Sequence, residues 1–72
     1  MLKNGEWELI ISNNPNNDYV LMAEIWKGEN EIADIKANGE QIIISWFKSD
    51  ENIDIPFEWF FEAMQIAKDR VS

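Results

Sequence analysis

The sequence predicts an α+β domain: a four-stranded antiparallel β-meander with one C-terminal α-helix packed on one face, a two-layer ββββα sandwich. Three observations carry this. Turn-forming residues at Gly5, Ser12–Asp18, Gly28, Asn38-Gly39 and Ser49–Asn52 cut the chain into runs of strand length. Paired through the hairpins those turns imply, the runs gather one face of apolar side chains that reads as a core face. After the last turn, Pro56 opens a stretch of helical spacing that continues to about Val71.

The strand-like runs are Trp7–Ile11, Tyr19–Trp26, Glu31–Lys36 and Gln41–Phe47. Asn-Gly between two such runs is a strong hairpin signal. With Asn38-Gly39 as a two-residue turn, Ala37 faces Glu40, Ile35 faces Ile42, Ala33 faces Ile44 and Glu31 faces Trp46. A three-residue loop at Gly28-Glu29-Asn30 sets Lys27 opposite Glu31 and Ile25 opposite Ala33. A two-residue loop there would turn Glu24 into the core, which is costly. One face then carries Trp7, Leu9, Ile11, Tyr19, Leu21, Ala23, Ile25, Ala33, Ile35, Ile42, Ile44 and Trp46. In the helix, Pro56 suits the first turn, where its missing N–H is not needed. Glu58 and Glu62 lie early, and Lys68 and Arg70 late, as the helix dipole favours. Phe57, Phe60, Phe61, Ala63, Met64, Ala67 and Val71 form the apolar face expected to lie on the sheet. Trp59 and Ile66 sit at its margin, with core packing the favoured reading.

The chain has 72 residues, 46% of them apolar by type, so it is read as a single domain over 1–72. It has no cysteine and no histidine. Disulfides, Cys/His zinc sites, a histidine base and a cysteine nucleophile are therefore excluded. No apolar run has the length of a membrane span. Met1–Gly5 leads directly into strand-like sequence without a signal-peptide core, and the expectation is a cytoplasmic protein without membrane contact. Fourteen acidic against six basic residues give a net charge of −8. Such a surface is repelled by phosphates, so no direct nucleic-acid binding is expected. It suits a basic protein partner reached by fast, salt-sensitive association.

The candidate binding residues lie on the sheet face away from the helix. Met22, Glu24, Trp26, Ile32, Asp34, Ile43 and Phe47 mix apolar anchors with carboxylates where a solvated face would read mostly polar. Glu24 and Asp34 stand directly opposite in this register, and like charges across a ladder are unfavourable. Lys36, diagonal to Glu24, softens that repulsion. Paired carboxylates also occur in glycosidases. Those enzymes need a substrate cleft that a meander of this size does not build, so no enzymatic activity is expected. Asp50-Glu51-Asn52-Ile53-Asp54 begins like a calcium loop. It then places Ile55 where glycine is needed and Phe61 where glutamate is needed, so no metal or cofactor is expected.

The stretches GEWELIISNNP, LMAEIW, IIISWF and IPFEWFFEAMQIAKDRV together resemble small acidic bacterial immunity proteins, the inhibitors encoded beside polymorphic and contact-dependent toxins. The resemblance implies a non-catalytic protein that covers the active or substrate-binding surface of a toxin. It supplies no motif with assigned roles, so no residue is carried over from it. The resulting expectation is an immunity protein or phage-type inhibitor of a basic enzyme such as a nuclease. The alternative is a module that pairs with itself, sheet face to face or edge to edge, with no inhibitory role.

Overall fold

The computed structural model describes residues 2–14, 20–47 and 52–71. Its elements are β1 (Leu2–Asn4), β2 (Trp7–Asn14), β3 (Val20–Lys27), β4 (Asn30–Asn38), β5 (Gln41–Trp46) and α1 (Phe57–Val71). All strands join one antiparallel sheet in the order β1-β2-β3-β4-β5, and α1 covers one face. The α+β architecture and C-terminal helix match the expectation; the strand number does not. The additional strand is β1, read from sequence as a lead-in to the first strand. It pairs Leu2 with Leu9, Lys3 with Glu8 and Asn4 with Trp7. Tyr19 and the expected turn residues 15–18 and 49–51 lie outside the described residues.

A single local device explains the added strand and both altered hairpins. The turns Asn4-Gly5-Glu6-Trp7, Lys27-Gly28-Glu29-Asn30 and Asn38-Gly39-Glu40-Gln41 each place Gly-Glu between two paired residues. The glycines have φ of 61°, 61° and 68°. That left-handed first turn position matches the twist of the flanking strands and is open to glycine at little steric cost. A Cβ at Gly5 or Gly39 would meet nothing within 4 Å, so conformation rather than space selects glycine there. Two turns also touch each other, the N–H of Gly28 donating to the carbonyl of Glu6 at 2.8 Å.

The β4–β5 turn is thus Gly39-Glu40, not Asn38-Gly39, and the pairing moves by two residues. Asn38 faces Gln41, Ile35 faces Ile44 and Ala33 faces Trp46. Because the shift is even, every side chain keeps its face. At β3–β4 the turn is the tight one, Lys27 opposite Asn30 and Trp26 opposite Glu31. A bulge between Ile25 and Trp26 then restores the expected register, with Ile25 opposite Ala33 and Glu24 opposite Asp34. The extra residue, Ile32, allows a two-residue turn without driving Glu24 inward.

The core consists of Trp7, Leu9, Ala23, Ile25, Ile32, Ala33, Ile35, Trp59, Ala63, Ala67 and Val71. Leu9 and Ile25 are its largest fully buried side chains. The helix meets the sheet mainly over β3. Ala23 and Ala33 on the sheet, and Ala63 and Ala67 on the helix, are all buried. Small residues on both sides permit close approach. The helix is rolled relative to the expected apolar face: Trp59 is buried, while Phe57 and Phe61 are 79% and 59% exposed. The cause is the tryptophan pair. Trp59 packs on Trp7 with ring centroids 5.9 Å apart, and Phe60 stacks on Trp46 at 6.0 Å. These two contacts fix the roll and leave Phe57 and Phe61 on the outer flank. Lys27, paired with Trp7, sets its ammonium 5.6 Å from the Trp7 ring.

Candidate functional site

Among the described residues no element covers the face of the sheet opposite α1. Strand alternation places Ile10 and Ser12 of β2, Met22, Glu24 and Trp26 of β3, Glu31, Asp34 and Lys36 of β4, and Ile43 and Ser45 of β5 on this face. Its central ladder runs Ile10–Glu24–Asp34–Ser45, so two carboxylates face each other in the middle of the sheet.

Those carboxylates differ in how they are held. Glu24 is anchored by its own sheet: Trp26 Nε1 donates to Oε1 at 3.0 Å, and Ser12 Oγ donates to Oε2 at 3.4 Å. The first bond also ties the Trp26 indole to the Glu24 carboxylate. Asp34 is 8% exposed, the single buried charged residue among those described. Its Oδ2 lies 3.7 Å from Lys36 Nζ, and its Oδ1 has no hydrogen-bond partner. A half-exposed lysine at that separation contributes about 0–1 kcal/mol. A buried oxygen without a partner costs about 1–3 kcal/mol. The cost is the larger quantity, and the like charge of Glu24 adds to it.

The third carboxylate, Glu31, is titrated upward from the ordinary glutamate range. Burial is the largest cause, followed by the negative charges of Glu24 and Asp34; Lys36 pulls the other way. Glu24, Asp34 and Glu31 together outnumber Lys36 on this part of the face. Its carboxylate oxygens are acceptors, so the complementary group is a donor cation, an arginine guanidinium or lysine ammonium. Among the described residues no group of His, Cys, Asp or Glu is arranged to hold a metal ion.

Of the seven residues expected on this face, Met22, Glu24, Trp26 and Ile43 are half-buried there. Asp34 is its buried centre, and Phe47 stands exposed just beyond β5. Ile32 differs. As the bulge residue it is buried as part of the core cluster, its carbonyl accepting from Phe47 N at 2.9 Å, so it packs with the core and not among the open-face side chains. Sequence reasoning missed Glu31, which the expected register set opposite Trp46, and Ser12. The signal for Glu31 was present in the chain. A Gly-Glu turn at 28–29 like the other two, combined with Glu24 facing outward, requires one extra residue in β4.

No described helix is long and apolar enough to cross a membrane. No protein-family model, curated protein or solved structure matches this chain.

Proposed function

We propose that the chain is a non-enzymatic binding protein whose open sheet face covers a basic surface on a partner protein and inhibits it. It would act as an immunity protein or phage-type inhibitor does, on a basic enzyme such as a nuclease. The observation that carries the reading is Asp34: a buried carboxylate with one oxygen unpartnered, opposite Glu24, on a face that no described element covers. Such a group weakens the free protein and is offset when a partner's cation reaches it. Trp26, Met22, Ile43 and Phe47 are the apolar anchors around that charge, the composition of an interface centre. The net charge of −8 steers a basic partner to the chain and repels nucleic acid, so the carboxylates stand where phosphates would lie in a nuclease groove. The reading sets the chain in the cytoplasm and requires no cofactor.

The test compares the wild-type chain with a Glu24→Lys/Asp34→Lys double variant. Both are immobilised against bacterial lysate and washed at rising salt, with the fold of each checked by circular dichroism. The expected result is one basic protein, captured in stoichiometric amount by the wild type, released by salt and absent from the variant. Equal capture by a folded variant would remove the open face from the account.

A further inference from the structure

Independently of the open face, we propose that β5 is a self-complementary edge through which two copies of the chain pair antiparallel about a two-fold axis at Ile44, extending the meander into one sheet across both copies.

The backbone sets the register. Asn38 and Gln41 flank a two-residue turn, and the pair closing such a turn is hydrogen-bonded. Alternation then makes Lys36↔Ile43 and Asp34↔Ser45 bonded pairs, and Phe47 N continues the series by donating to Ile32. Gln41, Ile43 and Ser45 therefore turn their backbone groups toward β4. Ile42, Ile44 and Trp46 turn theirs away from the sheet, along its edge. A second β5 running antiparallel satisfies these groups when Ile44 faces Ile44 of the second copy and Ile42 faces Trp46 of the second copy. Each such pair exchanges two N–H···O=C bonds. The same pairing joins residues that lie on the helix side of both sheets, so the apolar layer runs on without a break.

The side chains agree. Ile42 is 37% and Trp46 52% exposed, and the register sets these two against each other. On the same flank, Phe57 lies one turn before Phe60, whose ring stacks on Trp46. Edge strands are ordinarily guarded by charge, proline or shortness. The opposite edge has such a guard: β1 is three residues long and carries Lys3. The six residues of β5, Gln41–Trp46, contain no charge, proline or glycine. In a chain of net charge −8 this edge is a strip where a second copy can approach without placing charge against charge. A strand from a basic protein would gain nothing from that neutrality, which favours the second copy as occupant.

Sedimentation equilibrium of the full chain, from micromolar to millimolar, tests the pairing. The expected result is a monomer–dimer equilibrium that tightens between about 0.05 M and about 1 M salt, as screening removes the repulsion between two acidic chains. Ile42→Lys, which guards the edge, should raise the dimer dissociation constant at least roughly tenfold while leaving the far-UV spectrum unchanged. The absence of native cysteine allows a second test of the register. Ile44→Cys should cross-link to itself under oxidised glutathione, because paired Cα atoms about 5.5 Å apart suit a disulfide. Ser45→Cys, which would face position 43 of the other copy, should not. A chain that stays monomeric throughout, or Ser45→Cys cross-linking in preference to Ile44→Cys, would overturn the proposal.

Discussion

The two faces of this sheet are built from the same strands by alternate residues, and they serve opposite ends. On the helix side, neighbouring positions read Leu9, Ile25, Ala33, and Ile11, Ala23, Ile35, with no charge among them. On the other side, one residue along, they read Ile10, Glu24, Asp34, Ser45. β4 shows the contrast within four residues: Ile32, Ala33, Asp34 and Ile35 are all buried, yet three are apolar and one is a carboxylate with an unpartnered oxygen. The same degree of burial is favourable at Ala33 and unfavourable at Asp34. A residue that costs stability at the centre of a face no described element covers is the ground on which a partner contact is proposed.

Exchanging the character of the faces gives the largest expected effect. Ala33→Asp places the carboxylate one residue away, under the helix, where nothing can pair with it. A loss on the order of 3–5 kcal/mol is expected, enough to unfold a chain of this size, seen as loss of cooperative melting. Leu9→Ala removes a fully buried side chain from the covered face and should cost about 2–5 kcal/mol by urea denaturation. Phe61→Ser tests the helix roll. If Phe61 stands outside the core, the change stays within about 0.5 kcal/mol; a loss like that of Leu9→Ala would return this ring to the core.

The smallest effect is a pH dependence on the open face. The Glu31 carboxyl titrates above its unfolded value, so the folded state holds this proton more tightly than the unfolded state does. Its stabilising contribution is full below the unfolded value, near 4.5, and is lost as pH rises through the raised folded value. Glu31→Gln should therefore be slightly more stable than the wild type at pH 7, with the difference shrinking toward pH 4.5 and below. A difference independent of pH would separate Glu31 from the cluster.

Much of this was legible in the chain because strand and helix periods are local properties. The four longer strands, the helix after Pro56 and the Glu24–Asp34 pairing all follow from turn signals, strand-like composition and spacing. The parts that were not legible depend on choices between near-equal local options. Asn38-Gly39 and Gly39-Glu40 are both competent turns, and they differ by a two-residue shift that leaves every side chain on its face. The repeated Gly-Glu turn, visible only when three hairpins are compared, decides it and also creates β1. The bulge at Ile32 resolves a conflict between a tight turn and an outward Glu24, which no single stretch of sequence displays. The helix roll is set by the Trp7–Trp59 contact between elements distant in sequence. Helical spacing alone ranks Phe57 and Phe61 as equal candidates for the core.

The central claim is that the open face keeps Asp34 at a cost to the free chain. Urea denaturation of Asp34→Asn at pH 7 tests this most directly. The substitution keeps the volume, removes the buried charge and supplies an amide that can donate to the neighbouring carboxylates. The expected result is a gain of about 1 kcal/mol over the wild type, with an unchanged m-value. A loss of similar size would show that Asp34 supports the fold, and would remove the physical reason for assigning the open face to a partner.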